Sequence, residues 1–121
     1  MPNLGATLDS LCLGVGTAAL QIAKSFHAKR IFTTASSEEK LGFLHKLVED
    51  EGLLHTINYK KEDFEKHILD ATEKYGVDVL VDFVGQSHWN KNLGSLARDG
   101  RMVMLGLLSG EYQCISLSIY L

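Results

Sequence analysis

Proline is nearly absent from this 121-residue chain. The single one, Pro2, sits at the start, so no proline-rich linker divides the sequence and one domain is expected over residues 1–121. Cysteine is almost as scarce. Cys12 and Cys114 stand nearly a chain length apart and form no Cys-x-x-Cys pair, which argues against a disulfide framework or a zinc site and fits a reducing, cytoplasmic compartment. No stretch approaches the roughly 20 apolar residues that span a bilayer, and residues 1–9 lack the basic start and apolar core of a secretory leader. There is no basic cluster either: the net charge is −3 and the cations are scattered, so neither nucleic acid nor a membrane surface is an expected partner. Small diffusing ligands fit better.

What the sequence does have is apolar content, 45% of residues, arranged in alternating periods. Val15, Ala18, Ala19, Ile22, Ala23 and Phe26 recur at helical spacing and predict a helix over 15–26 with those residues on its buried face. A short strand over 30–35 follows, and Ser36 with Glu39 three positions on reads as a capping box opening a second helix, whose stripe is Leu41, Leu44, Leu47 and Val48. Residues 54–59 are strand-like. Phe64, Ile68, Ala71 and Tyr75 mark one side of a third helix, ended by Gly76. The run from Val77 to Val84 is nearly all apolar, as expected of a central parallel strand covered on both faces. A shorter helix over 89–97, closed at Asp99-Gly100, precedes another buried strand over 102–105.

Such alternation predicts an α/β fold: a Rossmann-like, doubly wound, mostly parallel sheet flanked by helices. Residues 3–10 make a poor buried strand, so the first strand is expected to be incomplete. The tail over 112–121 alternates apolar and polar residues at a period of two, as an edge strand would, or as a pairing edge for a second subunit in a homodimer.

Ligands of open α/β sheets bind beyond the carboxyl ends of the strands. Gly14, Gly16 and Ala19 satisfy the G-x-G-x-x-G/A pattern at the start of the first helix, where unpaired amides can receive a phosphate. Two glycines there are also what a tight turn requires, so the pattern alone has little specificity. About twenty residues on, where an NAD-binding domain places a carboxylate on the ribose hydroxyls, stand Ser36 and Ser37, with Lys40 one turn further. Hydroxyls and a cation suit the extra phosphate of NADP, although Ser36 also serves as a cap, and Glu38 and Glu39 weaken the local positive potential.

Several runs together are more specific. Gly14-Val15-Gly16-Thr17-Ala18-Ala19-Leu20-Gln21-Ile22-Ala23-Lys24, Ser37-Glu38-Glu39-Lys40-Leu41, Ile57-Asn58-Tyr59-Lys60-Lys61-Glu62-Asp63-Phe64 and Gly76-Val77-Asp78-Val79-Leu80-Val81-Asp82-Phe83-Val84-Gly85 resemble the zinc-free, zeta-crystallin-like quinone oxidoreductase branch of the medium-chain dehydrogenases and reductases. The resemblance continues through Trp89 and Leu105-Gly106-Leu107-Leu108, covering roughly residues 14–110. It implies NADPH as cofactor, with Gly14, Val15 and Gly16 under the pyrophosphate, Ser37 and Lys40 on the 2′-phosphate, and Tyr59 at the adenosine end. Val84 and Gly85 would line the nicotinamide side, with Gly106 and Leu107 as the next wall.

The implied reaction passes hydride from NADPH to a quinone or another conjugated carbonyl, and it needs no protein nucleophile. The five histidines, His27, His45, His55, His67 and His88, fall on different elements and read as surface or element-end residues. Leu11 stands where the branch has the first glycine of its turn and would crowd the pyrophosphate. The branch's substrate-side domain is absent from this stretch, so the chain is expected to be a cofactor-domain fragment with little reductase activity by itself. Two alternatives stand beside this reading: a degenerate, non-catalytic module acting in self-association, and the cofactor domain of an enoyl reductase.

Overall fold

The computed structural model describes residues 3–7, 13–50 and 52–105, with side chains from residue 16 onward. Among them, five strands form one parallel sheet: β1 Asn3–Thr7, β2 Arg30–Ala35, β3 Leu54–Asn58, β4 Val77–Asp82 and β5 Leu96–Met104, in the order β3-β2-β1-β4-β5. The helices are α1 Leu13–Ser25, α2 Glu38–Leu47, α3 Phe64–Ala71 and α4 Trp89–Ser95, with a 3-10 turn at Gln86–His88 before α4. The chain starts in the middle of the sheet, winds outward through β2 and β3, then returns across β1 to lay down β4 and β5. This is the doubly wound α/β arrangement.

Period-two alternation divides the core between the two faces of the sheet. Neighbouring Ile31 and Phe32 on β2 point to opposite sides. Ile31 joins Leu20 and Ala23 of α1, Leu44, Val48 and Leu54 in one buried cluster. Phe32 joins Ile57, Phe64 and Ile68 of α3, Val77 and Leu80 in the other. Helices α1 and α2 therefore cover one face and α3 the other, with α4 lying against α3.

Several sequence expectations are corrected. A first strand does form, Asn3–Thr7, and it occupies the centre of the sheet, the place expected of β4. Asn3-Leu4-Gly5-Ala6-Thr7 has few strand-favouring residues, but Leu4, Gly5 and Ala6 are paired on both sides, with Ile31, Phe32 and Thr33 of β2 and with Val79, Leu80 and Val81 of β4. Ladder bonds along both edges override a weak local preference. On α1 Ile22 faces solvent, as does Phe26 just past its end, 76% exposed; the buried line is Gly16, Leu20 and Ala23, set by where β2 and α2 lie. The N-cap of α2 is Ser37 rather than Ser36, and its side chain makes no capping bond. Helix α3 stops at Ala71, short of Gly76, as Glu73 and Lys74 turn to positive φ, and Tyr75 is exposed.

Finally, β5 begins at Leu96. Asp99, at φ 64, and Gly100 form a bulge inside it rather than a stop before it, with Val77 opposite Leu96 but Val79 opposite Arg101. Its end is open rather than buried: Val103, Met104 and Leu105 are about half exposed.

Gly76 sets the entry to β4. Its φ is +89, and a Cβ there would lie 2.6 Å from the Ser95 carbonyl oxygen and 2.8 Å from the Ala97 nitrogen, all backbone that cannot swing aside. Gly76→Ala should therefore destabilise the fold by about 2–4 kcal/mol, read as a lower denaturant midpoint with unchanged m-value.

His55 on β3 stacks on Phe32, ring centroids 4.9 Å apart. Burial, then Arg30 and His67, hold its pKa below the ordinary histidine value. A depressed folded-state pKa means that the unfolded chain takes up the proton first as pH falls. Stability should accordingly drop as pH is lowered from about 6.5 toward the folded value. His55→Phe should flatten that part of a urea-midpoint profile against pH.

Candidate functional site

The register aligns the strand ends. Thr7 pairs with Asp82, Asp82 with Met104, and Ala35 with Asn58, so every described strand finishes at the same edge of the sheet. Winding reverses between β1 and β4: the chain leaving β1 goes to α1 and β2, whereas the chain leaving β4 goes to α4 and β5. Loops that diverge at such a switch point leave a crevice between them. Helix α1 starts at Leu13, so Gly14, Val15 and Gly16 lie inside its first turn rather than ahead of it. That turn contains no acidic residue, and its leading amides have no intrahelical acceptor. Gly16 is buried, and Ala19 one turn on packs against Phe83, which directly follows β4. The glycine turn and the exit of β4 are thus neighbours.

A second corner lies at the ends of β2 and β3. Ser37 is in extended conformation, φ −145 and ψ 148, with its hydroxyl uncommitted to capping α2. Lys40 is half-buried one turn along and has no carboxylate within ion-pair distance among the described residues. Tyr59 follows β3, its amide donating to the Ala35 carbonyl at 3.2 Å. Its ring meets His88 edge-on at 4.8 Å. His88 is only 8% exposed and also contacts Phe64 at 5.2 Å, so it is an element-end residue, at the N-cap of α4, and not a surface one. It joins the Tyr59 corner to the segment after β4.

At that exit Asp82 is fully buried. Its carboxylate accepts the amides of Val84 at 3.0 Å and Gly85 at 3.1 Å, while its carbonyl accepts from the Leu105 amide at 2.8 Å. Gly85 adopts φ 90, and both Val84 and Gly85 are buried. The sequence held a signal for this role: a carboxylate closing an otherwise apolar strand must find donors where it is buried. Asn58 and Glu38, bonded to each other at 3.0 Å beside Ser37, also passed unnoticed as partners, because nothing in the sequence marks two residues twenty apart as neighbours. Of the expected site residues, Gly14, Val15, Gly16, Ser37, Lys40, Tyr59, Val84 and Gly85 fall at this edge. Gly106 and Leu107, together with Leu11 and the alternating tail, lie outside the described residues.

This geometry belongs to a dinucleotide fold, and comparison with known proteins names the family. The profile of a family described as zinc-binding dehydrogenase matches residues 14–121. The chain belongs to that family. It is 34% identical over 106 residues to quinone oxidoreductase 1 of Escherichia coli, a match covering 88% of this chain and 31% of that protein. The crystal structure of E. coli quinone oxidoreductase complexed with NADPH superposes with a TM-score of 0.81 at 30% identity, over 98% of this chain and 35% of that one. A 2-haloacrylate reductase structure gives 0.83, again at 30% identity, over 98% and 35%. These similarities put the chain on the quinone oxidoreductase branch of the medium-chain dehydrogenases and reductases, as an oxidoreductase cofactor domain spanning about a third of the length of these relatives. Despite the family's name, no three His, Cys, Asp or Glu side chains gather to hold a metal among the described residues. No described helix is long and apolar enough to cross a membrane.

Asp82 supplies a test of how the β4 exit is held. Asp82→Ala leaves two buried amides without acceptors and should cost about 2–4 kcal/mol, whereas Asp82→Asn keeps one acceptor oxygen and should cost about half as much; equal denaturation midpoints for the two would contradict this.

Proposed function

We propose that this chain is the NADPH-binding part of a quinone oxidoreductase that passes hydride to a quinone or another conjugated carbonyl. The observation that supports this best is the sharing of one sheet edge by the α1 glycine turn, the Ser37/Lys40/Tyr59 corner and the Val84-Gly85 exit. In this reading the first-turn amides of Gly14, Val15 and Gly16 receive the pyrophosphate. Ser37 and Lys40 hold the 2′-phosphate, and Tyr59 lies along the adenosine end. Val84 and Gly85, fixed by Asp82, flank the nicotinamide, with Gly106 and Leu107 on its other side.

When bound, NADPH supplies the hydride, and a proton from solvent completes reduction of the acceptor. The chain's own residues orient the nucleotide and supply no nucleophile. Because the relatives are about three times longer, we place the acceptor-binding surface in a part of the protein beyond these residues. A reductase acting on an unsaturated acid is the second reading, favoured by the likeness to a 2-haloacrylate reductase.

Titration of the chain with NADPH, read by nucleotide fluorescence or by Trp89, should saturate, with NADH binding more weakly. Lys40→Ala should weaken NADPH binding about tenfold or more, as loss of a charge-assisted contact implies, and leave NADH nearly unchanged. Turnover of a small quinone by the chain alone should be slight. A titration with no saturable response, or equal loss for both nucleotides, would refute the assignment.

A further inference from the structure

Asn58 closes β3 with 5% of its surface exposed. Its Oδ1 accepts from the Lys60 amide at 3.1 Å, and its carbonyl accepts from the amides of Lys61 and Glu62 at 3.0 and 2.9 Å, so the loop after β3 folds over it. Its Nδ2 is turned the other way, donating to Glu38 Oε1 at 3.0 Å across to the first turn of α2. Lys61 Nζ lies 3.4 Å from the same oxygen. Hydrogen bonding from Asn58, then from Lys61, holds the Glu38 carboxyl below its ordinary range.

A carboxylate at this place has consequences. Glu38 follows Ser37 directly, one position past the place where an acid in a dinucleotide fold takes the ribose hydroxyls. The same charge repels a 2′-phosphate. The sequence pattern thus sets Glu38 against Ser37 and Lys40. The structure resolves that conflict by tying the carboxylate to a buried amide and a cation on the neighbouring strand's loop.

We propose that Glu38 is a cofactor-discriminating residue and that Asn58 is the positioning residue that sets its choice. With the carboxylate tied back, the corner accepts a 2′-phosphate; released, it accepts the unphosphorylated ribose of NADH. This rests on the dinucleotide reading above.

The test is the ratio of NADH to NADPH dissociation constants for the full chain carrying Asn58→Ala, Asn58→Asp, Glu38→Gln, and each Asn58 change combined with Glu38→Gln. Asn58→Asp keeps the acceptor for the Lys60 amide, and with it the loop, but repels Glu38. Both Asn58 variants should lower the ratio about tenfold, the worth of one charged hydrogen bond. Adding Glu38→Gln should restore it, which a merely structural role for Asn58 would not allow. A wild-type chain that prefers NADPH, with a ratio unmoved by either Asn58 variant or not restored by Glu38→Gln, overturns this proposal alone. A wild-type chain that binds neither nucleotide, or prefers NADH, overturns the NADPH reading and this proposal with it.

Discussion

Hydrogen bonding of β1 along both of its edges is the constraint on which the rest of the molecule depends. With β2 on one side and β4 on the other, the strand is the pivot about which the chain reverses its direction of winding. Because the strands are parallel, the starts of α1 and α2 and the Val84-Gly85 turn stand at one end of the sheet, and the reversal parts the chain running to β2 from the chain running to β5. Ala19, in the second turn of α1, packs against Phe83 just past β4.

Around that edge, carboxylates act as structural donors' partners rather than as acids. Asp82 ties down the amides of Val84 and Gly85, fixing a turn whose glycine has positive φ. Asp63 caps α3 by accepting the Glu65 amide and pairs with Lys91 of α4 at 3.3 Å, joining two helices on the same face of the sheet. Glu38 is held by Asn58 and Lys61. In each case the negative charge is engaged by backbone amides, a side-chain amide or a lysine. At the second corner Lys40 has no ion pair among the described residues, whereas Lys61 pairs with Glu38.

Much of the fold was legible in the sequence because its signals are local. The limits of β2, the Leu41, Leu44 and Val48 stripe of α2, the Phe64 and Ile68 anchors of α3 and the apolar run of β4 all follow from periodicity read within a dozen residues. The order of elements and the glycine and serine motifs at their starts are equally local. Failures came where partners decide. Asn3-Leu4-Gly5-Ala6-Thr7 is a strand only because two other strands accept it, and Ile22 and Phe26 are exposed because helix α1 is rolled to bury Leu20 and Ala23 instead.

The sequence by itself determined an alternating α/β chain with a glycine pair at a helix start and a serine-lysine pair at the next helix start, since backbone permissiveness, period and capping are properties of neighbouring residues. Only the tertiary structure decided that β1 lies at the centre, that His88 is buried beneath Tyr59, and that Glu38 is bound to Asn58. Those outcomes depend on contacts between residues far apart along the chain, and such contacts arise only when the sheet has fixed which strand ends stand side by side.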